Sequence, residues 1–145
     1  LYIQDGRMFS TDPTTNWRLD IWQDVYDDLD DKKRLLRGYG YGEIIPVMTD
    51  PTAPGRLGRD GLNENVHNYL INVLARGGFF VALLIIYFHY SYIKIWNNKF
   101  KNYEILLLFI PAIINSLLDI TMEGVQFPVL YYSFVAILFN LENKR

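Results

Sequence analysis

The chain has 145 residues, half of them apolar and 16% aromatic, with a formal net charge of −2 and no cysteine. Disulfides and thiolate metal sites are excluded, and with His67 and His89 as the sole histidines no zinc site is expected. Basic residues are dispersed among acids, which argues against a nucleic-acid surface, while the apolar residues crowd into the second half.

Leu1 to Asn16 is polar and turn-rich and reads as a linker or loop, ending in Ser10-Thr11-Asp12-Pro13-Thr14-Thr15-Asn16, a cluster suited to stopping one element and capping the next. From Trp17 to Arg37, Leu19, Trp22, Tyr26, Leu29 and Leu36 recur among acids and bases, which predicts a surface amphipathic helix too charged to cross a bilayer. Gly38-Tyr39-Gly40-Tyr41-Gly42 is expected to stop that helix after its basic last turn, Lys32 to Arg37. The alternating glycines are not read as a dinucleotide fingerprint, because no strand precedes them and no βαβ pattern surrounds them. Glu43 to Asn65 is rich in proline and glycine and predicts an irregular loop, with Asn63 or Asn65 capping the next helix.

Val66 to Trp96 has no proline. As one helix it would be roughly 46 Å long, against a hydrocarbon core of about 30 Å, so part of it must project from the bilayer. Phe79 to Trp96, charged only at Lys94, is the expected buried part, leaving His67, Asn68, Asn72 and Arg76 at or above the interface. Ile105 to Thr121 and Val125 to Leu141 are two further apolar segments, joined by Met122-Glu123-Gly124. Lys94, Lys99 and Lys101 fall on the same side as Lys144 and Arg145 in a three-pass arrangement, which makes that side cytoplasmic. Residues 1–66 would then face outward, toward the periplasm in a bacterium. The third segment is only 17 residues long, and a re-entrant or core helix is its alternative. The expected fold is thus all-α: an integral membrane helical bundle fragment of about three transmembrane helices (about 67–96, 105–121 and 125–141). Its outer loop, 1–66, would carry an amphipathic helix over about 17–37. Leu1 in place of Met, with no signal peptide before the polar half, further predicts the C-terminal part of a longer protein.

Several side chains are candidates for chemistry. His67 belongs to the residue type whose ordinary pKa allows proton transfer near neutrality, and a helix N-terminus is expected to favour the neutral, base-competent form. Alternatively it is an interfacial polar residue satisfied by Asn68 or the loop. Arg18 and Trp22 are four apart, so the indole can hold the guanidinium for a phosphate or diphosphate; the alternative is an exposed arginine paired with Asp20 or Asp24. Arg56 and Arg59, just before the His67 helix, are placed to close over an anion or else to be solvated in their loop. Asp119 is a membrane-segment acid, either functional or snorkelling. Arg76 and His89 read as structural, and the acid run Asp27 to Asp31 as a solvated face without calcium-loop spacing.

Taken in order, Trp17-Arg18-Leu19-Asp20-Ile21-Trp22, Gly38-Tyr39-Gly40 and His67-Asn68-Tyr69-Leu70 opening a membrane helix resemble the C-terminal half of the O-antigen ligase and O-antigen polymerase superfamily. The resemblance covers most of the chain, including Ser116-Leu117-Leu118-Asp119. It implies a metal-independent, cofactor-free, inverting transfer of an undecaprenyl-diphosphate-linked glycan to a glycan or lipid A-core hydroxyl at the periplasmic face of the inner membrane. Arg18 would hold the diphosphate leaving group, and His67 would be the base or orienting group for the acceptor. Asn68, Trp22, Arg56 and Arg59 would contact substrate. The family's N-terminal helices are absent from this sequence, so the resemblance implies a stretch that is inactive alone. The rival expectation is a non-enzymatic membrane subunit, a glycan-lipid transporter or assembly scaffold.

Overall fold

The computed structural model describes residues 1–53, 56, 65–118, 122 and 124–144. Four helices carry most of them, in keeping with the all-α expectation. The first residues are more than a linker, however. Strands β1 (Tyr2–Gln4) and β2 (Arg7–Phe9) form an antiparallel hairpin with Ile3 opposite Met8, turning at Asp5 and Gly6, both at positive φ. Asp-Gly is the pair that a two-residue hairpin turn of this kind selects. A two-stranded hairpin is marginal by itself, and here a helix supports it. The Met8 N–H donates to Gln23 Oε1 at 2.6 Å, and Gln23 Nε2 donates back to the Met8 carbonyl at 3.0 Å.

Helix α1 (Pro13–Asp31) begins where Asp12 accepts from the Thr15 N–H at 2.7 Å, with Pro13 preorganising the first turn. It ends six residues before the expected Arg37, and glycine is not the cause. Lys33 takes the left-handed conformation (φ +55°), Arg34 N–H donates to the Leu29 carbonyl at 2.7 Å, and Lys33 N–H donates to Asp30 at 2.9 Å. These bonds satisfy carbonyls that the last turn would otherwise leave open. The buried face is Leu19, Ile21, Val25 and Leu29, whereas Tyr26 and Leu36, expected on the stripe, are exposed.

A short 3-10 turn, Pro46–Thr49, packs Met48 and the preceding Ile45 onto α1 beside Val66 and Ala75. Helix α2 (Tyr69–Phe100) starts two residues after His67. Its cap is Asn68, which accepts from the Ile71 N–H at 3.1 Å; the expected cap Asn65 lies outside the helix start, and Asn63 lies outside the described residues.

α2 is broken at Gly78 (φ +77°, ψ −178°). The break frees helix carbonyls, and the glycine-rich turn supplies the missing donors. Tyr39 N–H donates to Ala75 O at 2.7 Å and Gly40 N–H to Arg76 O at 2.8 Å, while Phe79 N–H donates to Leu35 O at 2.8 Å. The approach is so close that a Cβ at Gly38 would lie 2.5 Å from the Arg76 carbonyl, and one at Gly78 would overlap the Leu36 carbonyl. Gly38 at φ +67° therefore serves a backbone-to-backbone contact rather than a helix stop.

Gly78 also divides two kinds of surface. Before it Asn72, Val73, Ala75 and Arg76 are buried; after it Phe79, Phe80, Leu83, Leu84, Ile86, Tyr87 and Phe88 are exposed. Beyond the break, α2 packs with α3 (Leu106–Leu118) and α4 (Gln126–Glu142) around Trp96, Ile105, Phe109, Ala112, Tyr131 and Val135. α2 is long and apolar enough to cross a membrane. α3, described over 13 residues, extends only about 20 Å, and Asp119 to Thr121 lie outside the described residues.

Candidate functional site

Two tryptophans of α1 hold the residues that lead into α2. The Trp17 ring lies against His67, with ring centroids 5.1 Å apart and planes inclined by 52°. Trp22 Nε1 donates to the Val66 carbonyl at 2.7 Å. Val66 is fully buried between these contacts, and His67 is half-buried at φ +52°, a conformation that a non-glycine residue adopts at a cost. Trp22 thus anchors the approach to α2. Among the described residues no cation–π contact joins it to Arg18; those contacts are made by Lys32, Arg34 and Lys99.

Arg18 follows Trp17 directly. Its Nε is buried with no hydrogen-bond partner among the described residues, and no carboxylate there pairs with it at salt-bridge distance. Its charge acts at longer range on Asp12, whose carboxyl is held below the usual range by Thr15, first through the side-chain and then through the backbone hydrogen bond. The expected pairing of Arg18 with Asp20 or Asp24 is replaced by another set. Asp20 and Asp24 face Arg7 and Arg56. Arg7 Nη2 lies 2.6 Å from Asp24 and 3.3 Å from Asp20, while Arg56 Nη2 lies 2.5 Å from Asp24 and 2.8 Å from Asp20.

Arg56 also donates through Nη1 to the Val47 carbonyl at 2.9 Å and is 3% exposed. Its guanidinium is held inside the fold, neither solvated in a loop nor turned outward toward an anion. Asn68 is likewise engaged at both ends of its amide, since Nδ2 donates to the Leu117 carbonyl of α3 at 2.9 Å while Oδ1 caps α2. Arg59 lies outside the described residues, as does Asp119. Arg76 binds loop backbone, donating to the Tyr41 and Glu43 carbonyls at 3.3 and 3.0 Å.

His89 sits among rings rather than near His67. Nδ1 lies 2.9 Å from the Ile85 carbonyl, and Phe88, Phe109, Tyr131 and Tyr132 surround the imidazole at 5.7 to 6.4 Å between centroids. Among the described residues no cluster of three or more histidine, aspartate or glutamate side chains is arranged to hold a metal ion. A groove of about 490 Å³ runs beside Trp22, lined by Arg7, Met8, Leu19, Gln23 and Ile71; neither Arg18 nor His67 lines it.

Sequence reasoning missed Trp17 as the neighbour of His67 and Arg7 as the second cation of the carboxylate pair. Their partners are distant in sequence, so no helical period marks them, although Asp20, Asp24 and Asp27 do share a face at spacings of four and three. Comparison with protein families, curated proteins and solved structures finds no match to this chain.

Proposed function

We propose that the chain is the C-terminal part of a bacterial inner-membrane glycan transferase of the O-antigen ligase or polymerase type, multi-pass, with its site on the periplasmic face. The observation that carries this reading is the contact of Trp17 with His67, which sets the histidine beside the helical turn bearing an arginine without a carboxylate partner among the described residues. In the proposed step the acceptor hydroxyl oxygen forms a bond to the donor's anomeric carbon as the bond from that carbon to the diphosphate oxygen breaks. His67 takes or orients the hydroxyl proton, and Arg18 steadies the charge that collects on the undecaprenyl diphosphate. Fixed cationic donors matter there because no metal enters the proposed step.

The chain's apolar exposed helices supply the bilayer contact that a polyprenyl donor requires, with α2 as the helix long enough to cross. The test is a reconstituted system holding the full-length protein, lipid-linked donor and acceptor. The expected result is equal amounts of glycosylated acceptor and released undecaprenyl diphosphate. A non-enzymatic transporter or scaffold would form neither, and that outcome rejects the reading.

A further inference from the structure

We propose that the basic turn Lys32 to Arg37 is a docking surface for anionic lipid headgroups of the leaflet that α2 enters. The inference rests on α2 crossing a bilayer and is independent of the transferase chemistry. The turn's position is fixed by the α2 break: Phe79 N–H donates to the Leu35 carbonyl at 2.8 Å, and Gly78 lies against Leu36. Gly78 is also where the protein-covered part of α2 gives way to the exposed apolar part, beginning at Phe79 and Phe80. A segment locked to that boundary sits at the depth of lipid phosphates when the apolar part is in hydrocarbon.

Its composition suits that depth. Leu36 is 57% exposed beside the first apolar residues of the span, and Lys32, Lys33, Arg34 and Arg37 are exposed around it. Lys32 is paired with Asp28 at 2.8 Å, and Arg34 lies over the Tyr39 ring with Glu43 across the adjoining hollow. Among the described residues, Lys33, Arg34 and Arg37 have no carboxylate within salt-bridge distance, although acids crowd the end of α1. The left-handed Lys33 and the Arg34 to Gly38 bonds turn the chain sharply after that acidic stretch, so the cations belong to the segment held at α2. With the turn at that depth, Leu36 enters the acyl boundary while the guanidinium and ammonium groups around it meet phosphate oxygens.

These 145 residues contain no cysteine, so Leu36→Cys or Phe80→Cys, with any cysteine outside them replaced by serine, gives a single site for a bimane fluorophore. The full chain is placed in phosphatidylcholine nanodiscs containing nitroxide-labelled phosphatidylglycerol or, separately, nitroxide-labelled phosphatidylcholine. Leu36 is expected to be quenched roughly fivefold more by the anionic lipid, the factor given by about 1 kcal/mol for a cation near an anionic surface. High salt, or Lys33→Gln with Arg34→Gln and Arg37→Gln, should bring the two lipids to parity. Equal quenching at Leu36 in the unsubstituted turn, or none, while Phe80 is quenched overturns the proposal and leaves the membrane span standing. Absence of quenching at both positions rejects the span and the docking surface together.

Discussion

Arg56 joins the loop to α1 through two carboxylates that Arg7 reaches from the other side, so one pair of acids holds the hairpin and the loop on the same helix. Removing it breaks charge-assisted bonds from a side chain 3% exposed, although Asp20 and Asp24 remain partly solvated and keep Arg7. Arg56→Ala should cost about 2 kcal/mol, read as a lower thermal midpoint in detergent. An unchanged midpoint with weakened donor binding would instead mean that Arg56 serves a ligand. Tyr39, outside α2, offers a second test. Burial pushes its phenol up, and the hydrogen bond to Asp28, with that carboxylate's charge, adds to the rise. The folded state therefore favours the neutral phenol. Its stabilisation is complete below the ordinary tyrosine pKa of about 10 and is lost as pH rises above it. Tyr39→Phe should be less stable than wild type near neutrality, and the gap should narrow in alkaline titration; a gap constant with pH would contradict the assignment.

At the scale of elements, the backbone exchange between the glycine-rich turn and α2 governs how the two halves meet. Gly38 and Gly78 both take positive φ and both face backbone where a Cβ would sit. Neither neighbour is a flexible side-chain end that could move aside. Gly78→Ala and Gly38→Ala should each destabilise by about 3 kcal/mol or more, detected as protease cleavage in the 38–43 turn and loss of folded yield. Gly77→Ala, which meets the Val81 side chain, should be milder. The apolar reach of α2 and α4 was legible because long apolar runs declare themselves without tertiary information. The break was not, although the Gly77-Gly78 pair is a known weak point, because what stabilises it comes from residues about forty positions earlier. The end of α1 was missed for a similar reason: Lys33 in the left-handed region carries no side-chain signature, and the later glycines drew the boundary to themselves. Asp5-Gly6 did announce a hairpin, but strands of three residues leave little alternation to read.

Across the whole molecule, two apolar clusters lie on either side of Gly78, one under α1 and the loop and one among α2, α3 and α4. The first orders polar and charged groups before the apolar part of α2, and the second leaves a broad apolar surface exposed. Of the candidate residues, Arg18 and His67 stood out by residue type and by the ordered resemblance. The contact of His67 with Trp17 was not legible, because fifty positions separate the two in sequence. Of the other candidates, Arg56 and Asn68 tie elements together and Trp22 holds the Val66 carbonyl, while Arg59 lies outside the described residues. The most direct measurement is the initial rate of undecaprenyl-diphosphate release by the full-length protein in proteoliposomes, for wild type, Arg18→Ala and His67→Ala at equal folded amounts. A site built on this pair predicts a fall of about a hundredfold or more in each variant. Wild-type rates in both variants, from protein folded as before, would contradict it.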